Sequence, residues 1–111
     1  MSQQNDDWKP ISISLPVRYW ITVLGLTDEF IGKNVKPKVE ELKKRGAKLE
    51  DVPDPMKAVL MGPVFARGAI VDALVDAGVM KPEAKAKLGT DTLLAMARKY
   101  YDQNRKSNGS H

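Results

Sequence analysis

Between Ile11 and Phe30 the apolar residues recur first with period two and then with a helical period, and the change falls at Leu15–Pro16. In "ISISL", Ile11, Ile13 and Leu15 share one side and Ser12 and Ser14 the other, the pattern of a short half-buried strand. Beyond Pro16 the polar or small residues Arg18, Thr22, Gly25 and Glu29 fall at i, i+4, i+7 and i+11, one narrow stripe on a helix ending near Ile31. Trp20, Ile21, Leu24 and Ile31 line one flank of that helix, and Tyr19, Val23, Leu26 and Phe30 the other. Proline suits a first helical turn, whereas Gly25 and the β-branched residues lower helix propensity, so packing must hold the segment. No second convincing strand follows. A lone strand leaves its backbone groups unpaired, so residues 11–15 are expected to pair with another chain. A second copy is the economical partner; a strand in another protein, or a weak one near 47–52, would also serve.

Farther along, Gly32 is expected to close the first helix and Asn34 to cap a second, with Pro37 in its first turn. Val35, Val39 and Leu42 form its apolar stripe, Glu40–Lys44 and Glu41–Arg45 are i, i+4 pairs, and Gly46 ends it. "AKLEDVPDP" reads as a linker near 47–54, and Asp54–Pro55 starts a short helix through Met61. Gly62–Pro63 then separates this from a helix running to Gly78, in which Ala66, Ala69, Ala73 and Ala77 make a small-residue face that another helix could approach closely. "KPEAKAKLG" is a short exposed helix, and Thr90 or Asp91 caps a last helix to about Arg105 that buries Leu93, Leu94, Ala97 and one of Tyr100 or Tyr101. The expected fold is mostly α: a strand at 11–15 followed by four to five helices in a small bundle. The single domain spans 10–105, between an N-terminal arm at 1–9 and a disordered tail at 106–111.

Composition narrows the chemistry. At 111 residues, 42% hydrophobic and 29% charged, the chain can support one modest core. It has no cysteine and a single histidine, His111, so thiol nucleophiles, disulfides and His/Cys metal sites are excluded. The carboxylates are scattered over helix ends and the linker, no phosphate-binding glycine motif is present, and an enzyme is not expected. No cofactor is expected either. The polar, acidic opening "MSQQNDDWK" is unlike a secretory leader, and no apolar run approaches the roughly twenty residues that span a bilayer, so the expected setting is cytoplasmic, cellular or virus-encoded, without membrane contact.

The net charge of +4 is unevenly placed. Residues 33–48 carry seven basic side chains against Glu40 and Glu41, a net of +5, whereas residues 49–80 are net acidic. Lys33, Asn34, Lys36, Lys38, Lys43, Lys44 and Arg45 therefore form a candidate phosphate-contacting block. A short alternating strand ending in "LP", a helix, a small turn and a second helix resembles the ribbon-helix-helix DNA-binding fold. That resemblance implies paired strands in the major groove of double-stranded DNA, Ser12 and Ser14 facing the bases, and "GKNVK" on phosphate. "ALVDAGVMKPEAKAKL" is a fainter match to a helix-turn-helix. The reading placed first is different: a non-enzymatic protein-interaction or assembly module that associates with a protein partner or a second copy. Its expected interface comprises Ile11, Ile13 and Leu15 of the strand, Trp20, Ile21 and Leu24 of the first helix, and the face Ala66, Ala69, Ala73 and Ala77.

Overall fold

The computed structural model describes residues 8–109, with side chains through Arg105. The first helix, α1, spans Val17–Phe30 and starts with the N–H groups of Tyr19 and Trp20 donating to the Pro16 carbonyl at 3.0 and 3.3 Å. It does not stop at Gly32. A π-helical segment, Ile31–Val35, carries it directly into α2, Lys36–Lys44. Pro37 explains the form of this junction. Proline has no N–H to donate, and its ring crowds the carbonyl four residues back, that of Lys33. Widening the preceding turn, so that the Lys36 N–H reaches the Ile31 carbonyl, lets the helix pass the proline without breaking. Asn34 therefore lies within a continuous helix and caps nothing.

The helix stop expected at Gly46 is present, and Gly78 repeats it. Both glycines adopt positive φ, +68° and +79°. At each, the following residue donates back over the turn, Ala47 to Leu42 and Val79 to Leu74, both at 2.9 Å. Between 47 and 53 a 3₁₀ turn, Leu49–Asp51, and the buried Val52 anchor the segment expected to be a plain linker.

The larger correction concerns Gly62–Pro63. Instead of two helices there is one, α3, running from Asp54 to Asp76, with Pro53 before it and Pro63 inside it. A residue ahead of proline is normally driven out of the helical region because its Cβ meets the proline Cδ. Gly62 has no Cβ to meet the Pro63 ring. The pair is thus a proline passage. Merging the segments also overturns the expectation that no apolar stretch could span a bilayer. At 23 residues and a mean hydropathy of 1.7 over its best window, α3 is long and apolar enough by length and composition, and 39% of that window is buried in the fold. A helix on which the other helices pack meets the same requirement.

Around α3 stand α1, the π segment, α4 (Pro82–Gly89) and α5 (Thr92–Gly109). α3 supplies Leu60, Met61, Val64, Val71 and Leu74 to the core; Ile31, Val35, Leu88, Leu94 and Ala97 come from the elements around it. Asp91 is the cap of α5, its Oδ1 accepting from the Leu94 N–H at 3.2 Å. α3 and α5 approach closely at Gly68, where a Cβ would lie 2.6 and 2.9 Å from the two Leu94 methyls. α4 is tied down by Lys85, whose ammonium lies 3.0 Å from Asp72 Oδ1 and donates to Asp76 Oδ1 at 3.1 Å. The Asp72 contact is an ion pair with off-line geometry, since the aligned hydrogen bond goes to Asp76.

The strand expected at 11–15 is not formed, and no strand occurs among the described residues. A strand needs a ladder, and the elements among the described residues are all helical. Residues 9–16 instead form an irregular connection between Trp8, which packs on α5, and the start of α1.

Two tests follow from this packing. Gly68→Ala should lower the unfolding free energy by about 1 kcal/mol despite its better helix propensity, because both Leu94 methyls must move in a filled site. Gly25→Ala, with nothing within 4 Å, should raise it by roughly 0.5–1 kcal/mol, and denaturant melts of both variants check the contrast. The second test concerns Lys85, whose pKa is raised above 10.5 by its close contact with the Asp72 carboxylate, then by its hydrogen bond to Asp76, and by the charges of both. A raised lysine pKa stabilises the fold while the unfolded-state lysine is still protonated and loses that effect as pH climbs through the folded value. The stability difference between wild type and Lys85→Ala should therefore hold below pH 10.5 and shrink above it in thermal melts.

Candidate interaction surface

The expected interface residues divide into three groups. Ile11, Ile13 and Leu15 are exposed, as a half-open segment requires, but without the strand that would align them. Trp20 and Leu24 are half-buried toward α3, and Ile21 is half-exposed. On α3, Ala69, Ala73 and Ala77 are exposed while Ala66 is half-buried. The close helix approach expected for the alanine face occurs nearly on the opposite side of α3, at Gly68 against Leu94. What the structure does bring together is an apolar groove of about 340 Å³ between the start of α1 and the C-terminal half of α3. Leu15, Val17 and Trp20 form one wall, and Ala69, Ala73 and Ala77 the other.

The helix expected to be apolar nearly all round is only half used. No residue of α1 is buried. Successive residues advance by about 100° around the axis, so Trp20, Leu24 and Thr27 share the side turned to α3, while Tyr19, Leu26 and Phe30 share a bare side. Eight of the eleven exposed large hydrophobic side chains of the described residues lie between Ile11 and Phe30, so the bare surface is a patch and not a scatter. Tyr19, Leu26 and Phe30 were readable as one flank of the helix, but the periodicity by itself could not say which flank α3 would cover.

A second cluster was not legible in the sequence. Trp8 stands edge-on to Tyr100 with ring centroids 5.5 Å apart, Phe65 and Tyr101 are 4.9 Å apart, and Arg105 lies 5.8 Å over the Tyr101 ring. Together with Pro10 and Met61 the four aromatic rings bound another apolar cavity of about 340 Å³ between α3 and α5. These residues are far apart in sequence, so no local spacing announces them.

The candidate nucleic-acid residues are not assembled as a ribbon-helix-helix unit would require. Ser12 and Ser14 are exposed on an irregular segment, and no turn separates the first two helices. Lys33 and Asn34 lie in the π segment, and Lys36, Lys38, Lys43, Lys44 and Arg45 on α2 or at its end. Lys33 pairs with Glu29 at 3.1 Å and Lys38 with Glu41 at 3.3 Å, and the expected pairs Glu40–Lys44 and Glu41–Arg45 are not formed. Among the described residues no three His, Cys, Asp or Glu side chains come together as a metal site would need, and His111 lies outside those residues.

Comparison with known proteins found no matching family model, curated protein or solved structure.

Proposed function

We propose that this chain is a non-enzymatic assembly module that associates with itself through its N-terminal segment and first helix. One observation carries the reading: α1 is fourteen residues long, predominantly apolar, and buries none of them. Fully burying a leucine, valine or phenylalanine side chain is worth roughly 1.5–3 kcal/mol, so leaving a stripe of them in water forgoes several kcal/mol that a partner surface would recover. The exposed Ile11, Ile13 and Leu15, just before α1 in sequence, add further apolar surface without a fold of their own to stabilise. The exposed lysines on α2 keep that helix solvated and suit solubility.

Analytical ultracentrifugation over a concentration series tests this. The wild-type chain should pass from monomer to oligomer as concentration rises. Leu26→Lys, at a side chain 62% exposed, should weaken association by an order of magnitude or more while the helical circular dichroism is unchanged. Met56→Lys, an exposed control on α3, should leave association as it is. A wild-type protein that stays monomeric throughout the series sinks the reading.

A further inference from the structure

We propose that the surface covering α1 is α1 of a second copy, lying antiparallel in a register centred between Leu24 and Gly25. This rests on the self-association reading and specifies its geometry. Tyr19, Val23, Leu26 and Phe30 recur at i, i+4, i+7 and i+11, the spacing of a helix–helix seam. Tyr19, Leu26 and Phe30 are 55%, 62% and 37% exposed, and Val23 is half-buried at the margin of the α3 contact. The seam reads the same when reversed. About a two-fold axis at its centre, Tyr19 of one copy meets Phe30 of the other and Val23 meets Leu26, each contact occurring twice.

Charge selects the direction. Arg18 and Glu29 lie on the same flank of this seam, near its two ends and eleven residues apart, about 17 Å along the axis. In an antiparallel pair the same flanks of the two helices face each other, whereas in a parallel pair opposite flanks meet. The antiparallel register therefore brings Arg18 of each copy alongside Glu29 of the other. In a parallel pair that flank would meet the partner's Trp20, Leu24 and Thr27 side instead, so neither Arg18 nor Glu29 would find an opposite charge. Among the described residues Arg18 forms no ion pair, and Asp28, the neighbouring acid, is held by Arg67 on α3. Glu29 contacts only Lys33, one turn on along its own helix, through side chains that are both more than half exposed. It is free to accept a second cation, and the complementarity points to a second copy of this chain more directly than to an unrelated apolar surface.

Charge exchange tests the register. Arg18→Glu sets Glu against Glu29 at both ends, and Glu29→Arg sets Arg against Arg18, so each single variant should associate about tenfold or more weakly than wild type. An equimolar mixture of the two restores opposite charges at both ends of a mixed dimer. It should associate within about threefold of wild type, as should the double variant Arg18→Glu/Glu29→Arg. Rescue by mixing also excludes misfolding of either single variant, since a misfolded chain is not repaired by a second one. If the single variants associate like wild type, or the mixture fails to recover, the antiparallel register is overturned while self-association stands. If wild type itself is monomeric, both fall together.

Discussion

The burial of α3 is the constraint from which the rest of the structure follows. A chain of 111 residues has few apolar side chains to spend, and α3 takes the middle of the fold with buried residues along most of its length. α5 can press against it because Gly68 leaves a notch for Leu94, and Leu94 is 2% exposed as a result. The π segment covers the N-terminal half of α3, and α4 covers its C-terminal end through Leu88 and the Lys85 clamp. By then the supply of helices is used up. Among the described residues α1 packs against α3 with one side and has nothing on the other.

The dimensions of the molecule express the same shortage. Its Cα extents are 38 × 38 × 21 Å, and the shortest is about two helix diameters. The radius of gyration, 15.0 Å, exceeds the roughly 13 Å of a compact chain this long. A flat arrangement one or two helices thick gives each helix fewer neighbours than a bundle would. Apolar residues spaced all round α1 then have nowhere inside the chain to go, which is why their exposure is a property of the fold and not of a few misplaced side chains.

Two prolines that ordinarily mark helix ends are passed through, and each is passed by a different local device. At Pro37 the backbone widens to π spacing; at Pro63 the preceding glycine removes the steric conflict. Both positions belong to helices with buried residues on either side of the proline: Ile31 and Val35 before Pro37 with Val39 and Leu42 after it, and Leu60 and Met61 before Pro63 with Val64 after it. Continuous burial on both sides outweighs the loss of one hydrogen bond, so tertiary packing decided against the local signal. Where the local signal involved a glycine at positive φ, at Gly46 and Gly78, no packing opposed it and the helices stop where the sequence says.

What the sequence by itself determined is local: the helical period of residues 17–30, the buried stripe Val35–Val39–Leu42, the caps at Asp91, Gly46 and Gly78, and the burial of Leu94 and Ala97. These depend on spacing within a few residues and on backbone preferences that act wherever the residue stands. The strand at 11–15 failed because alternation describes only which sides are apolar, while a strand exists through hydrogen bonds to another strand, which the described part of this chain does not provide. The merging of α3, the aromatic cluster of Trp8 with Tyr100, and the choice of which flank of α1 remains bare were decided by tertiary structure. Each is a contact between residues distant in sequence, and no local period carries the distance, depth or direction of a neighbour that arrives from elsewhere in the chain.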